Sequence, residues 1–228
     1  MELREKNQSL KKSSKEIADL NEDLLETLSD VIDLRDPYML DHSKQVSYYA
    51  TEIAKKMGLN GKQVELIRKA ALLHDIGKLG ISENILRKPS PLTIEEYEVM
   101  KRHAILGADL IGKSPSLRSL IPIVRHHHEF FNGTGYPDRL KGNQISIEAR
   151  IVAIADAIES MLSDRPYRRA LDLEAVIKEI KRYSGSQFDP HVVEAAIPML
   201  EKHFCIGESN CQTQAEVLPK WRTSTPSS

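Results

Sequence analysis

Two cysteines, four phenylalanines and one tryptophan in 228 residues leave little to build a fold on disulfides or on aromatic stacking. Cys205 and Cys211 are too few and too near the C-terminal end to form a disulfide framework, and both are expected to stay reduced. An excess of charge is also missing. The 32 Lys+Arg against 33 Asp+Glu give a net charge of −1, which argues against a protein that coats a nucleic-acid polymer, since phosphate-driven binding needs a clear basic surplus. No apolar run approaches the roughly 18 residues of a membrane span. No secretory leader opens the sequence. A cytoplasmic protein without membrane insertion is expected. At about 150 residues per domain, the length allows one good-sized domain plus an appendage, with a core large enough to need no staples.

What the sequence does have is eight histidines in unusual places. His126, His127 and His128 run together, His74 sits beside Asp75, and His42 and His103 fall within helical patterns. Clustered imidazoles with neighbouring carboxylates point to a metal site. His74 and Asp75 follow the apolar run Ala70-Ala71-Leu72-Leu73. A buried imidazole and carboxylate side by side are costly unless something satisfies them, either each other or a cation.

Leu3, Leu10, Ile17, Leu24 and Val31 recur every seven residues, with Leu20 and Leu34 in an incomplete second seam. This predicts a coiled-coil-like helix over 1–35 that pairs two chains as a homodimer; the alternative is an amphipathic helix laid on its own domain. Residues 36–206 read as an all-α bundle of about seven helices. The spacings predict helices from Tyr38 to Met57, from Val64 to Ile76, and from a Thr93/Glu96 capping box through His103 to Ile111. Further helices are predicted from Leu117 to His128, from Ser146 to Leu162, from Asp172 to Tyr183, and from Asp189-Pro190 onward. Loops are expected at 77–92 and 129–145. From Gly207 the sequence loses periodicity and reads as a flexible tail over 207–228.

The ordered motifs His74-Asp75-Ile76-Gly77-Lys78, His127-His128-Glu129 and Gly135-Tyr136-Pro137 resemble those of the HD-GYP family, a branch of the HD phosphohydrolases. The segments Arg150 to Asp156, Asp164-Arg165-Pro166-Tyr167-Arg168 and Phe188-Asp189-Pro190 extend the resemblance over roughly residues 35–200. It implies a helical HD-type fold holding two divalent metal ions. His42, His74, Asp75 and Asp156 correspond to the ligands of one metal, and Asp75, His103, His127 and His128 to those of the other. Asp75 bridges the two. Such mixed nitrogen and oxygen donors without thiolate suit iron or manganese before zinc or nickel. The glutamate with which some members bind a third metal is replaced here by Tyr38, so two metals are expected.

The resemblance further implies hydrolysis of cyclic di-GMP to linear pGpG, possible onward cleavage to GMP, and attack by a metal-bridging hydroxide. Lys78 is placed to neutralise a phosphate oxygen; its bland reading is a helix-end cation. Arg165 and Arg168 correspond to phosphate-holding positions and Tyr136 to the neighbourhood of a guanine. The alternatives are a basic loop and a tyrosine that merely packs a turn. His126 is expected beside the ligand set but outside it, His191 and His203 on the surface, and Glu129 either orienting a ligand histidine or ending a helix. Two other functions fit the same residues: hydrolysis of another cyclic nucleotide, and a cyclic di-GMP-responsive interaction module without catalysis.

Overall fold

The computed structural model describes residues 2–35, 41–164 and 169–204. Tyr38, Arg165, Arg168, Cys205 and Cys211 lie outside them, as does the stretch 207–228. Among the described residues there are ten α-helices and three short 3-10 segments, with no strand beyond an isolated bridge between Ser184 and Phe188.

Helix α1 runs from Glu2 to Arg35 without a break. Both readings of its periodicity have a part in the structure. Leu10, Ile17, Leu24 and Val31 lie 46–68% exposed along one face. A different line of residues, Leu25, Ser29, Ile32 and Asp33, is buried against the bundle. Because Leu25 and Ile32 belong to the core, the packed unit begins inside α1 and not at residue 36.

Helix α2 (His42–Lys56) packs against α3 (Gly61–Leu73) and α8 (Ile147–Leu162), and these three helices form the centre of the molecule. Val46, Ala50 and Ile53 of α2 meet Ile67, Ala70 and Leu73 of α3 and Ile151, Ile154 and Ile158 of α8 within one apolar cluster. Each is spaced three or four residues from the next, the interval that keeps side chains on one helical face. Burying an isoleucine or leucine contributes about 1.5–3 kcal/mol.

Several predicted boundaries shift for identifiable reasons. Helix α3 starts three residues before Val64, because the Asn60 side chain accepts the backbone N–H groups of Lys62 and Gln63 while Gln63 returns to the Asn60 N–H. It stops at Leu73, and residues Ile76–Gly80 form a 3-10 turn. The Thr93/Glu96 capping box is present, but the single helix expected over 93–111 is two, α5 (Ile94–Lys101) and α6 (His103–Gly112), broken at Arg102. The helix expected from Leu117 begins as a 3-10 segment, Pro115–Leu120, and becomes α7 only over Ile121–His126. Pro122 explains this: lacking an N–H, it is tolerated in a first turn and not in a helix interior. Helices α8, α9 (Leu173–Arg182) and α10 (Pro190–His203) begin after Ser146, Asp172 and Asp189, whose side chains accept the first free N–H groups. The two predicted loops are not bare: the first holds the 3-10 turn and a single-turn α4 (Glu83–Leu86), the second a 3-10 turn at Gly142–Gln144.

Candidate metal centre

His74 and His127 occupy the C-terminal caps of α3 and α7, and His103 follows the last turn of α5. A helix end leaves carbonyls without intrahelical partners. Each of these histidines uses one. The Nδ1–H groups of His74, His103 and His127 donate to the carbonyls of Ala71, Met100 and Val124, three residues back, at 2.7, 2.8 and 2.7 Å. His42 is the first residue of α2, after Asp41 in a left-handed conformation, and its Nδ1 pairs with the buried Glu159 carboxylate. With each Nδ1 engaged, a neutral ring leaves its Nε2 as the acceptor, and all four Nε2 atoms point inward.

There they meet one another. His42 Nε2 lies 3.4 Å from His74 Nε2, and His103 Nε2 lies 3.3 Å from His127 Nε2. Two neutral rings that donate through Nδ1 cannot hydrogen-bond through Nε2 at that separation, and a cation between them would relieve the repulsion. The two carboxylates complete the pattern. Asp75 Oδ2 is 3.4 Å from His74 Nε2, Asp75 Oδ1 is 3.4 Å from His103 Nε2, and Asp156 Oδ1 is 3.4 Å from His42 Nε2. Donor atoms of Asp75, His103, His127 and His128 lie within 4.8 Å of one another, and so do those of His42, His74 and Asp156. The seven residues singled out in the sequence therefore converge as two adjoining donor sets, with one Asp75 oxygen turned toward each. The donor chemistry fits two divalent cations, and the fixed tautomers are those that ligation through Nε2 requires.

Electrostatics favour the same state. Burial disfavours ionisation of Asp75, but the Lys78 ammonium 2.7 Å from Oδ2, with the surrounding imidazoles, holds its pKa well below the usual carboxylate range. Burial likewise opposes ionisation of Asp156, and His42, His74 and His128 bring its pKa down. Burial pushes His103 down and His127 far down, and takes His128 to about 3, so these rings stay neutral near pH 7 and free to ligate. His42 is moved the other way: its burial is outweighed by Glu159.

Backbone proximity holds the two halves together. A Cβ on Gly77 would lie 1.8 Å from the His103 carbonyl oxygen, so the turn after Asp75 can press against α6 only as glycine. A Cβ on Gly135 would lie 2.2 Å from the Phe130 nitrogen, which lets the following loop fold back over His128. Tyr136 then stacks on the His128 ring at 4.9 Å.

The remaining expectations divide. Lys78 is at the centre, paired with Asp75. Glu129 does not orient a ligand histidine: its carboxylate accepts the backbone N–H groups of Asp138 and Leu140, at 2.6 and 3.1 Å, and ties down the loop that carries Tyr136. His126 lies beside the ligands and bonds Asp138 at 2.9 Å. His191 is exposed, and His203, half-buried, meets the Tyr48 hydroxyl at 3.1 Å and belongs to neither donor set. Glu159 was not foreseen. Its signal was the spacing: three residues after Asp156 on one helix puts both carboxylates on one face. Asp33 and Arg35 were also missed. Asp33 accepts the Ser43 N–H and hydroxyl beside His42, and the Arg35 guanidinium donates to the carbonyls of Lys78 and Leu79.

An all-helical bundle that gathers histidine and aspartate donors from several helix ends and from the middle of α8 defines a helical domain suited to holding metal ions. The chain belongs to the HD domain family, whose model matches residues 26–192. A cyclic di-GMP phosphodiesterase of Thermotoga maritima is 40% identical over 179 residues, covering 78% of this chain and 49% of that protein. The cyclic di-GMP phosphodiesterase response regulator RpfG of Xanthomonas campestris is 35% identical over 210 residues, with 86% and 56% covered. The chain thus spans about half the length of these curated relatives. The fold is shared with the crystal structure of a cyclic GMP-AMP specific phosphodiesterase of Vibrio cholerae, at a TM-score of 0.62 and 19% identity over 78% of this chain and 48% of that one. No helix among the described residues is long and apolar enough to cross a membrane.

Proposed function

We propose that the protein is a metal-dependent phosphodiesterase that hydrolyses cyclic di-GMP to linear pGpG in the cytoplasm, with two ions of iron or manganese held by His42, His74, Asp75, His103, His127, His128 and Asp156. The observation that supports this reading is the convergence of four histidine Nε2 atoms beside the Asp75 and Asp156 carboxylates, a donor set suited to divalent cations. Bound divalent ions would supply Lewis-acid charge at the phosphoryl oxygens and a water of lowered pKa.

The side chains of this protein do the rest. Asp75 holds the two donor sets in register. Lys78, already at the Asp75 carboxylate, turns its ammonium to a non-bridging phosphate oxygen as negative charge builds there. Tyr136, with its ring against His128, walls the reaction centre on one side. Arg165 and Arg168 hold the substrate's phosphates. The names of the two cyclic di-GMP relatives support the substrate. The exposed seam of α1 supports a homodimer.

The test is product analysis on protein purified without oxygen, with its metals counted. About two metals per chain and pGpG as the main product are expected. Metal-loaded protein that binds cyclic di-GMP unchanged overturns catalysis in favour of an interaction module, and faster cleavage of another cyclic nucleotide from a panel overturns the substrate.

A further inference from the structure

The last turn of α1 reaches two sides of the metal centre without contributing a donor to it. Asp33 and Arg35 are two positions apart, which on a helix turns their side chains about 200° away from each other. One meets the start of α2 and the other the turn Ile76–Gly80. The end of α1 therefore stands between the segments that carry His42 and Lys78.

Each side chain meets backbone groups that the segment itself leaves open. A helix start presents N–H groups with no intrahelical partner. The residue before α2, Asp41, is of the right type to cap them, yet its φ is +60° and its side chain makes no cap bond. Asp33, 4% exposed, takes that part from another helix: its two oxygens accept the Ser43 N–H at 3.0 Å and the Ser43 hydroxyl at 2.7 Å. A carboxylate also suits the positive end of the α2 dipole. His42, next to Ser43, thus has its ring held by Glu159 and its backbone held by α1. On the other side, the Arg35 guanidinium donates to the carbonyls of Lys78, Leu79 and Ile81, at 3.2, 2.8 and 3.4 Å. Arg35 is itself held, since Arg87 donates to its carbonyl at 3.2 Å and the Glu83 carboxylate lies 3.9 Å from its guanidinium. The turn that carries Lys78 is fixed to α6 through Gly77 and to α1 through Arg35.

We propose that Asp33 and Arg35 are positioning residues of the reaction centre, Asp33 acting through His42 on metal binding and Arg35 acting through Lys78 on the chemical step. The part given to Lys78 rests on the function proposed above. A reacting group displaced by about 1 Å can cost ~10²-fold in rate, and loss of a group that orients a metal ligand costs about 10–100-fold in affinity or activity. A merely structural contact predicts something different, namely the same losses wherever the hold on α1 is loosened. Glu22 supplies that control, because it ties α1 to Arg68 of α3 and not to either segment of the centre.

The experiment uses the full chain, metal-loaded, with circular dichroism to confirm the helical content of each variant. In Asp33→Ala the chelator concentration that strips half of the metal should fall about tenfold or more. Ser43→Ala, which removes one of the two bonds and leaves the carboxylate, is the milder form of the same test and should shift that midpoint in the same direction. Arg35→Ala should hold its metal as the wild type does, with kcat for cyclic di-GMP about tenfold lower and KM unchanged, and it should cost nothing further in a Lys78→Ala background. Glu22→Gln should match the wild type in both measurements. The proposal is overturned if Asp33→Ala and Ser43→Ala keep their metal, if Arg35→Ala lowers kcat by the same factor with and without Lys78, or if Glu22→Gln reproduces the losses. If the wild type holds no metal or does not cleave cyclic di-GMP, the function proposed above falls, and amide hydrogen exchange over 42–46 and 76–82 decides. Faster exchange there in Asp33→Ala and Arg35→Ala respectively than in Glu22→Gln supports the positioning roles, and equal exchange overturns them.

Discussion

Asp75 faces three charges or lone-pair sets at once: Lys78 at 2.7 Å, and the Nε2 atoms of His74 and His103 at 3.4 Å each. Its loss and that of Lys78 should therefore separate. Asp75→Ala removes the one group that reaches both donor sets, and metal analysis should show the ions lost and activity abolished. Lys78→Ala removes a cation from a site that two divalent ions would fill with charge of their own, so metal content should hold while kcat falls by ~10²-fold, typical of one lost electrostatic stabiliser. Equal metal loss in the two variants contradicts this division. The histidines of the two donor sets also set a pH dependence. The folded-state pKa values of His103, His127 and His128 are depressed, the last to about 3, against an ordinary value of 6.5. For such groups stability is full above the unfolded pKa and is lost as pH falls, because the unfolded chain takes up protons that the folded one refuses. His42 works in the opposite sense but is one against three. The urea midpoint of chelator-stripped protein should drop between pH 7 and pH 5.

At the scale of elements, the turn Ile76–Gly80 and helix α6 are the pieces whose contact joins the two donor sets. Gly77→Ala puts a methyl group into the His103 backbone, which unlike a side-chain tip cannot step aside. A cost of about 3 kcal/mol is expected, the upper end for overpacking, with weakened metal binding, readable as a shifted denaturation midpoint and reduced metal per chain. The helix pattern was legible at four caps followed by an apolar stripe: Thr93, Ser146, Asp172 and Asp189 each start the helix predicted for them. It was not legible at Arg102, where α5 and α6 separate although helical spacing continues through the break. The break delivers His103 to the centre, and only long-range packing calls for it. Glu129 was misread for a similar reason, since its partners are backbone N–H groups nine and eleven residues on, and backbone donors leave no trace in side-chain spacing.

For the whole molecule, α1 connects an exposed apolar seam to the metal centre. Leu10, Ile17 and Leu24 are open along its length, while Asp33 and Arg35 at its end hold the segments beside His42 and Lys78. Pairing of two chains through that seam would bury leucines now facing solvent and steady both contacts. Replacing Leu10, Ile17 and Leu24 by lysine should convert a dimer to a monomer in sedimentation at tens of micromolar, leaving the helical content of the bundle unchanged. A wild-type chain that sediments as a monomer at that concentration removes the dimer.

The composition argued against a disulfide scaffold and a polyanion-coating protein, helical periodicity gave the all-α class, and the resemblance of the ordered motifs implied the seven donor residues, because residue types and periodicity are local properties of sequence. Tertiary structure decided which nitrogen of each histidine faces inward, that one Asp75 oxygen turns to each donor set, and that Glu159 and not Glu129 pairs with a donor histidine. Those outcomes depend on carbonyls and carboxylates brought from distant segments, and no spacing along the chain encodes a distance across it.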